Sequence, residues 1–174
     1  NAGGSAGVMH KSTSSGWVVV STPTLAAGGS YEFVNHNFGG HSATQNMYGC
    51  NGVNKAFQFN GTTLTLLTTG MTTDTPSHIS VHKNHLFLSF SGGSVQHSGT
   101  GDPTSWTLVT GAGEISIGSE VTGLNSMQGN SLAITGIKQI SVLYGTAASN
   151  WDLKSYSPAI GAISKTHAQM DSDL

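Results

Sequence analysis

The segment Ile140–Tyr144 (ISVLY) and the segment Trp151–Lys154 (WDLK) that follows it carry the pattern that decides the fold. In Ile140–Tyr144 the apolar side chains occupy every second position, which is the period of a β-strand with one buried face. Residues 145–150 (GTAASN), which lie between the two segments, are small or polar, as expected for a turn. The two segments therefore predict a β-hairpin whose second strand opens with tryptophan.

The same hairpin pattern occurs at three earlier places in the chain. The second strands of the four hairpins begin at Trp17, Thr63, Trp106 and Trp151, at intervals of 46, 43 and 45 residues. A four-stranded propeller blade repeats every ~40–50 residues. The earlier hairpins are Gly7–His10 with Trp17–Val20, Lys55–Phe59 with Thr63–Leu66, and Ser94–His97 with Trp106–Val109.

Each interval between hairpins contains two more strand candidates, so that every repeat has four strands. The clearest pair is Ser77–His82 followed by Leu86–Phe90; the others are Tyr31–Val34 with Thr44–Tyr48, and Glu120–Leu124 with Leu132–Thr135. We predict an all-β fold, a β-propeller of four-stranded antiparallel blades, with about four blades or partial blades in this span and more in the full ring. A four-bladed ring closed by the termini, a β-sandwich and a β-solenoid are the alternatives.

The repeat divides one predicted all-β domain, residues 1–174, into successive blades. The predicted divisions are a partial blade at 1–22, blades at 31–68, 76–109 and 120–156, and the start of a further blade at 160–174. We expect this span to be a fragment of a longer chain. Trp17, Thr63, Trp106 and Trp151 are the structural repeat positions, where we expect side chains that cover a blade edge or the gap between blades.

Composition argues against several classes of function. Charged residues make up 8% of the 174 residues and the net charge is −2, and all six basic residues are lysines. Nucleic-acid binding depends on clustered lysine and arginine, so the sequence disfavours it. No apolar run reaches the ~18 residues of a transmembrane helix. The single cysteine, Cys50, is interpreted as a core residue.

Candidate catalytic and metal-binding residues do not form a recognisable constellation. Glycoside hydrolysis needs two facing carboxylates, and nothing in the sequence brings two of the eight acidic residues together. His78 and His82 are four residues apart in a strand, ~13 Å, which is too far to share one metal ion. His82 and His85 could approach each other across a turn, but core or surface roles are favoured. We predict no enzyme activity, catalytic residue, cofactor or metal.

The chain from about Tyr48 to Ile163 resembles a family of tailed-bacteriophage virion proteins with propeller-type repeats. The resemblance is carried by Gly52–Phe57, His82–Ser89, His97–Trp106, Val142–Gly145 and Asn150–Trp151. Residues 1–47 resemble the family only through the hairpin repeat.

The resemblance implies a structural component of a phage tail, nozzle or neck, located in the virion, which acts by subunit assembly rather than catalysis. Its expected partners are other virion subunits and further copies of itself in a ring. A carbohydrate- or receptor-binding propeller, with a glycan or host receptor as partner, is the alternative function, and a glycosidase-like propeller is the second alternative.

Overall fold

The computed structural model describes residues 6–39 and 45–163, and it is built from β-strands and short 3-10 turns. Short alternating strands pair with their sequence neighbours, because within the sheets all connections but one are too short for a crossover. The strands are β1 Ala6–Thr13, β2 Gly16–Ala26, β3 Glu32–His36, β4 Asn46–Cys50, β5 Phe57–Phe59, β6 Leu64–Leu66, β7 His78–His82, β8 His85–Phe90, β9 Ser94–His97, β10 Gly113–Ser116, β11 Val121–Met127, β12 Ser131–Gly136, β13 Ile140–Tyr144 and β14 Asp152–Ser157.

The fourteen strands form three four-stranded antiparallel sheets and one two-stranded hairpin. We call β1–β2 the half-blade, β3–β6 blade 1, β7–β10 blade 2 and β11–β14 blade 3. In each blade the strands follow one another in sequence order. The predicted all-β fold of four-stranded antiparallel sheets is confirmed, and the described residues do not close into a propeller ring.

Consecutive blades stack face to face, because one sheet alone cannot bury both of its faces. The first strands of the three blades are neighbours: β7 contacts both β3 and β11. Three apolar clusters fill the gaps. The first joint lies between the half-blade and blade 1 and includes Leu25, Phe57 and Leu64. The second, around Tyr48 and Leu88, lies between blades 1 and 2. The third, around Phe87 and Leu132, lies between blades 2 and 3.

Side-chain alternation explains how one blade serves two joints. In β8, Leu86, Leu88 and Phe90 face the second joint, whereas Phe87 faces the third. Every residue of β8 is buried, as expected for a strand covered on both faces. The β7–β8 turn places Lys83 and Asn84 at positive φ, which is the requirement of a tight type I′ hairpin.

The strand predicted at Trp106–Val109 is wrong. Residues 98–112 form a loop that contains a 3-10 turn at Leu108–Thr110, and the fourth strand of blade 2 is β10, Gly113–Ser116. β10 is the strand that supplies the core, because Ile115 packs on the third joint and Ile117 just beyond it is buried there. Blade 2 therefore spans 78–116. The further blade predicted at 160–174 falls mostly outside the described residues.

Candidate assembly face and ligand cleft

The repeat positions Trp106 and Trp151 both lie half-buried between their own blade and the preceding one. Trp106 packs on the second joint, and Trp151 packs on the third joint immediately before β14. Both indoles therefore cover the gap between two sheets.

Thr63 is exposed, and its neighbour Leu64 fills the corresponding place in the first joint. Alternation along β6 directs Leu64 toward the half-blade and Thr63 away from it. The apolar side chain of this repeat therefore stands one position later than the period indicates, a shift that the strand alternation of Leu64 and Leu66 could have revealed.

Trp151 is the centre of an aromatic cluster in the third joint. Its ring centroid lies 5.7 Å from that of Phe87, 5.4 Å from that of His85 and 5.7 Å from that of His97. Its indole Nε1–H donates to Nε2 of His97 at 3.2 Å. The indole thus ties blade 3 to blade 2 by both packing and a hydrogen bond.

A hydrogen bond from Trp151 fixes His97 as a neutral imidazole. A carbonyl oxygen only accepts, so Nδ1 of His85 donates to the Ser98 carbonyl at 2.6 Å, and Nδ1 of His97 donates to the same oxygen at 3.1 Å. Nε2 of His97 then accepts from Trp151, and Nε2 of His85 shares a hydrogen bond with the Thr100 hydroxyl at 3.1 Å. Both rings are structural members of the joint.

His82 is the most electrostatically perturbed group of the cluster. Nδ1 bonds the Ser126 hydroxyl of blade 3 at 2.8 Å, and Nε2 is buried without a hydrogen-bond partner. Burial, together with the smaller effects of the charges of Lys83 and His85, lowers the pKa of His82 from 6.5 to about 4. Burial also lowers the pKa of His97. The lowered pKa values of His82 and His97 thus favour uncharged imidazoles in the third joint.

Trp17 occupies different surroundings from Trp106 and Trp151. In the half-blade, Met9 and Val20 pair with each other and face the first joint. Alternation then directs Val8, Trp17 and Val19 to the opposite sheet face, where their side chains are 55%, 75% and 48% exposed. We call this surface, Val8, Trp17 and Val19, the open face. It lies on the side corresponding to the face by which each of the three blades packs on the unit before it.

A cleft of about 250 Å³ opens beside Trp106. Met71 from the segment after blade 1, Gln96 of β9, Leu108 and Ala112 of the 98–112 loop, and Glu114 of β10 line it with Trp106. The lining combines apolar side chains, which we call the apolar wall, with the Gln96 amide and the Glu114 carboxylate, which we call the polar wall. The cleft was not predicted, because its residues lie far apart in sequence and belong to no motif.

Three carboxylates of the described residues make contacts that serve the fold, within one segment or between blades 1 and 2. Glu32 bonds His78 at 2.5 Å, Asp74 accepts from the backbone and hydroxyl of Thr69, and Asp102 accepts from Thr104. Across the described ranges no group of three or more His, Cys, Asp or Glu side chains could hold a metal ion. The described part also contains no helix with the length and apolar character of a membrane span.

Comparison with known proteins returns no relative: no family model, curated protein or solved structure matches this chain.

Proposed function

We propose that this protein is a structural component of a bacteriophage tail or head-to-tail region, and that it acts by assembling its blades with those of neighbouring subunits. The observation that carries the proposal is the exposure of Trp17 on the open face. Trp151, at the corresponding position before the fourth strand of blade 3, is packed against the preceding blade, and Trp106 packs on the second joint from the 98–112 loop. Among the residues that the structure describes, the open face thus has the residue types of a joint and no covering sheet.

The chemistry of the open face favours another β-sheet as its cover. Val8, Val19 and Trp17 are its exposed apolar side chains, beside His10 and Ser12 on the same face, and burying such apolar side chains contributes ~25 cal/mol per Å² of apolar area. Large aromatic side chains are also the residues that dominate the energy of protein interfaces. The joints inside the molecule supply the template, because each is made from two sheet faces with apolar side chains.

Low charge supports a role in a permanent assembly. With 8% charged residues, the chain has few groups whose hydration opposes close contact between subunits. The placement in a phage virion depends on the resemblance of Tyr48–Ile163 to tail and neck proteins. The proposal therefore has two parts, assembly through blade faces and location in the particle, and each can be tested.

Mass spectrometry of purified virions tests the location. Virions of the phage that encodes this sequence should yield its peptides at a fixed copy number per particle after salt and density-gradient washing. Peptides found only in the lysate of infected cells, and absent from washed virions, would overturn the proposed location.

A further inference from the structure

The connection between β9 and β10 of blade 2 is much longer than its counterparts. Residues 98–112 link these strands, whereas residues 60–63 link β5 to β6 and residues 145–151 link β13 to β14. A long connection without strands on a rigid sheet scaffold is a common carrier of binding residues. The extra length of this loop builds the cleft beside Trp106.

Internal hydrogen bonds hold the loop in one conformation. Asp102 Oδ1 accepts from both the backbone N–H of Thr104 at 2.9 Å and its hydroxyl at 2.6 Å. The indole Nε1–H of Trp106 donates to the carbonyl of Pro103 at 3.1 Å. Backbone bonds join Gly99 to Ser105. Trp106 is therefore a fixed wall of the cleft, and binding would not have to order it.

The apolar wall of the cleft offers a contact surface for a ligand. Trp106 and Ala112 line the cleft, and Leu108 projects from the loop with 83% of its side chain exposed. Indole and aliphatic surfaces pack well against the C–H face of a sugar ring, because both surfaces are apolar and the ring is rigid.

The groups of the polar wall can form more hydrogen bonds than they make within the protein. The Gln96 amide N–H donates to the Met71 thioether, which is a weak acceptor. One Glu114 oxygen accepts from the Ser94 hydroxyl at 2.6 Å, and a carboxylate has further lone pairs on both oxygens. Sugar hydroxyls both accept and donate, so they match the Gln96 amide and the Glu114 carboxylate.

The charge of the lining selects among ligands. Glu114 is the ionisable carboxylate of the lining, no lysine lines the cleft, and the chain contains no arginine. An anionic ligand such as a phosphate or an acidic sugar would face Glu114 without a compensating cation. We propose that the cleft binds one ring of a neutral carbohydrate, stacked on Trp106 and hydrogen-bonded by Gln96 and Glu114. This site is independent of the open face.

Nuclear magnetic resonance of the three tryptophan indole N–H groups tests the site directly. Methyl glycosides of glucose, galactose and N-acetylglucosamine are titrated into the full chain, with glucuronate as the anionic comparison. At least one neutral glycoside should shift the Trp106 signal saturably, leave the Trp17 signal in place, and bind more tightly than glucuronate. Trp106→Phe assigns the signal.

Variants of the polar wall separate a specific site from a general effect on the protein. Gln96→Ala and Glu114→Gln should each weaken binding about tenfold, a loss of ~1.4 kcal/mol. Glu120→Gln is the matched control, since Glu120 is also exposed and accepts one hydrogen bond, from Gly92, outside the cleft. Absence of any saturable shift, equal binding of glucuronate, or equal losses in Glu114→Gln and Glu120→Gln would each overturn the proposal.

Discussion

The third joint and the open face present the same kind of residue in opposite surroundings. Trp151 lies against Phe87, His85 and His97 and donates a hydrogen bond across the joint. Trp17 stands at the corresponding place in the first hairpin, and 75% of its side chain is exposed. The repeat sets the residue type, and the presence or absence of a covering sheet sets what that residue does.

The difference shows where stability and association are located. A buried indole contributes to folding through lost water contact and dense packing. An exposed indole at the same position contributes little to folding, and its apolar surface can still be buried when a partner binds. Mutations in the joints should therefore destabilise the isolated protein, whereas mutations in the open face should weaken only the assembly.

The largest expected contrast is between two truncations of tryptophan. Trp151→Ala should destabilise the fold by about 3 kcal/mol, because it removes the indole that packs on the third joint and its hydrogen bond to His97. Trp17→Ala should change the free energy of unfolding by no more than ~0.5 kcal/mol. Urea denaturation followed by far-ultraviolet circular dichroism measures both. Equal losses in the two variants would contradict the distinction between joint and open face.

The second-largest expected effect is that acid weakens the third joint. The unfolded chain binds a proton at His82 below pH 6.5, whereas the folded chain resists it until its pKa of about 4, so unfolding takes up a proton in this range. The contribution of neutral His82 to the free energy of unfolding is fully present above pH 6.5. It is lost as the pH is lowered toward 4, a decrease of about 3 kcal/mol. His97 acts in the same direction.

Variants assign this acid sensitivity to the joint. His82→Gln should flatten the dependence of unfolding free energy on pH between 6.5 and 4, and His10→Gln, at an exposed position of β1, should leave it unchanged. The groups that surround His82 are Lys83, His85, Ser126 and Trp151. A dependence that persists in His82→Gln would show that other groups control it.

A matched pair of valines repeats the comparison with a smaller side chain. Val95 is fully buried in the third joint and Val19 is half-exposed on the open face. Val95→Ala should cost about 2 kcal/mol, from lost apolar burial and a residual cavity, and Val19→Ala a few tenths. The midpoints of urea unfolding compare the two, and a larger loss for Val19→Ala would reverse the account.

The smallest expected effect is in the 98–112 loop. Asp102→Ala removes both hydrogen bonds to Thr104 and should lower global stability by ~1 kcal/mol or less. Hydrogen exchange should accelerate in the loop and remain slow in β8, which is buried on both faces. Uniform acceleration through blade 2 would show that the loop is part of the blade's cooperative core.

Local patterns predicted most of the fold. The alternation of Ile79 and Val81 and of Leu86, Leu88 and Phe90 located β7 and β8 within a residue or two. This success has a physical cause, because strand pairing between sequence neighbours depends on short-range patterns and turns. The all-β class and the four-stranded sheets were therefore accessible from the sequence.

Long-range placement was not accessible in the same way. Trp106–Val109 has strand-like alternation, yet it lies in a loop because Ile115 and Ile117 fill the third joint instead. The contacts of Trp151 with His85 and His97 join residues from two blades, and no spacing rule specifies them. The cleft beside Trp106 depends on the same placement of the loop.

Photo-crosslinking from position 17 in assembled particles tests the central claim most directly. The full-length protein, carrying p-benzoylphenylalanine in place of Trp17, is assembled and irradiated, with the same substitution at Val109, 98% exposed on the loop, as the control. The account predicts crosslinks from position 17 to a β-strand of a neighbouring subunit and few from position 109. Crosslinks from position 17 that stay within one chain, or none at all, would contradict assembly through the open face.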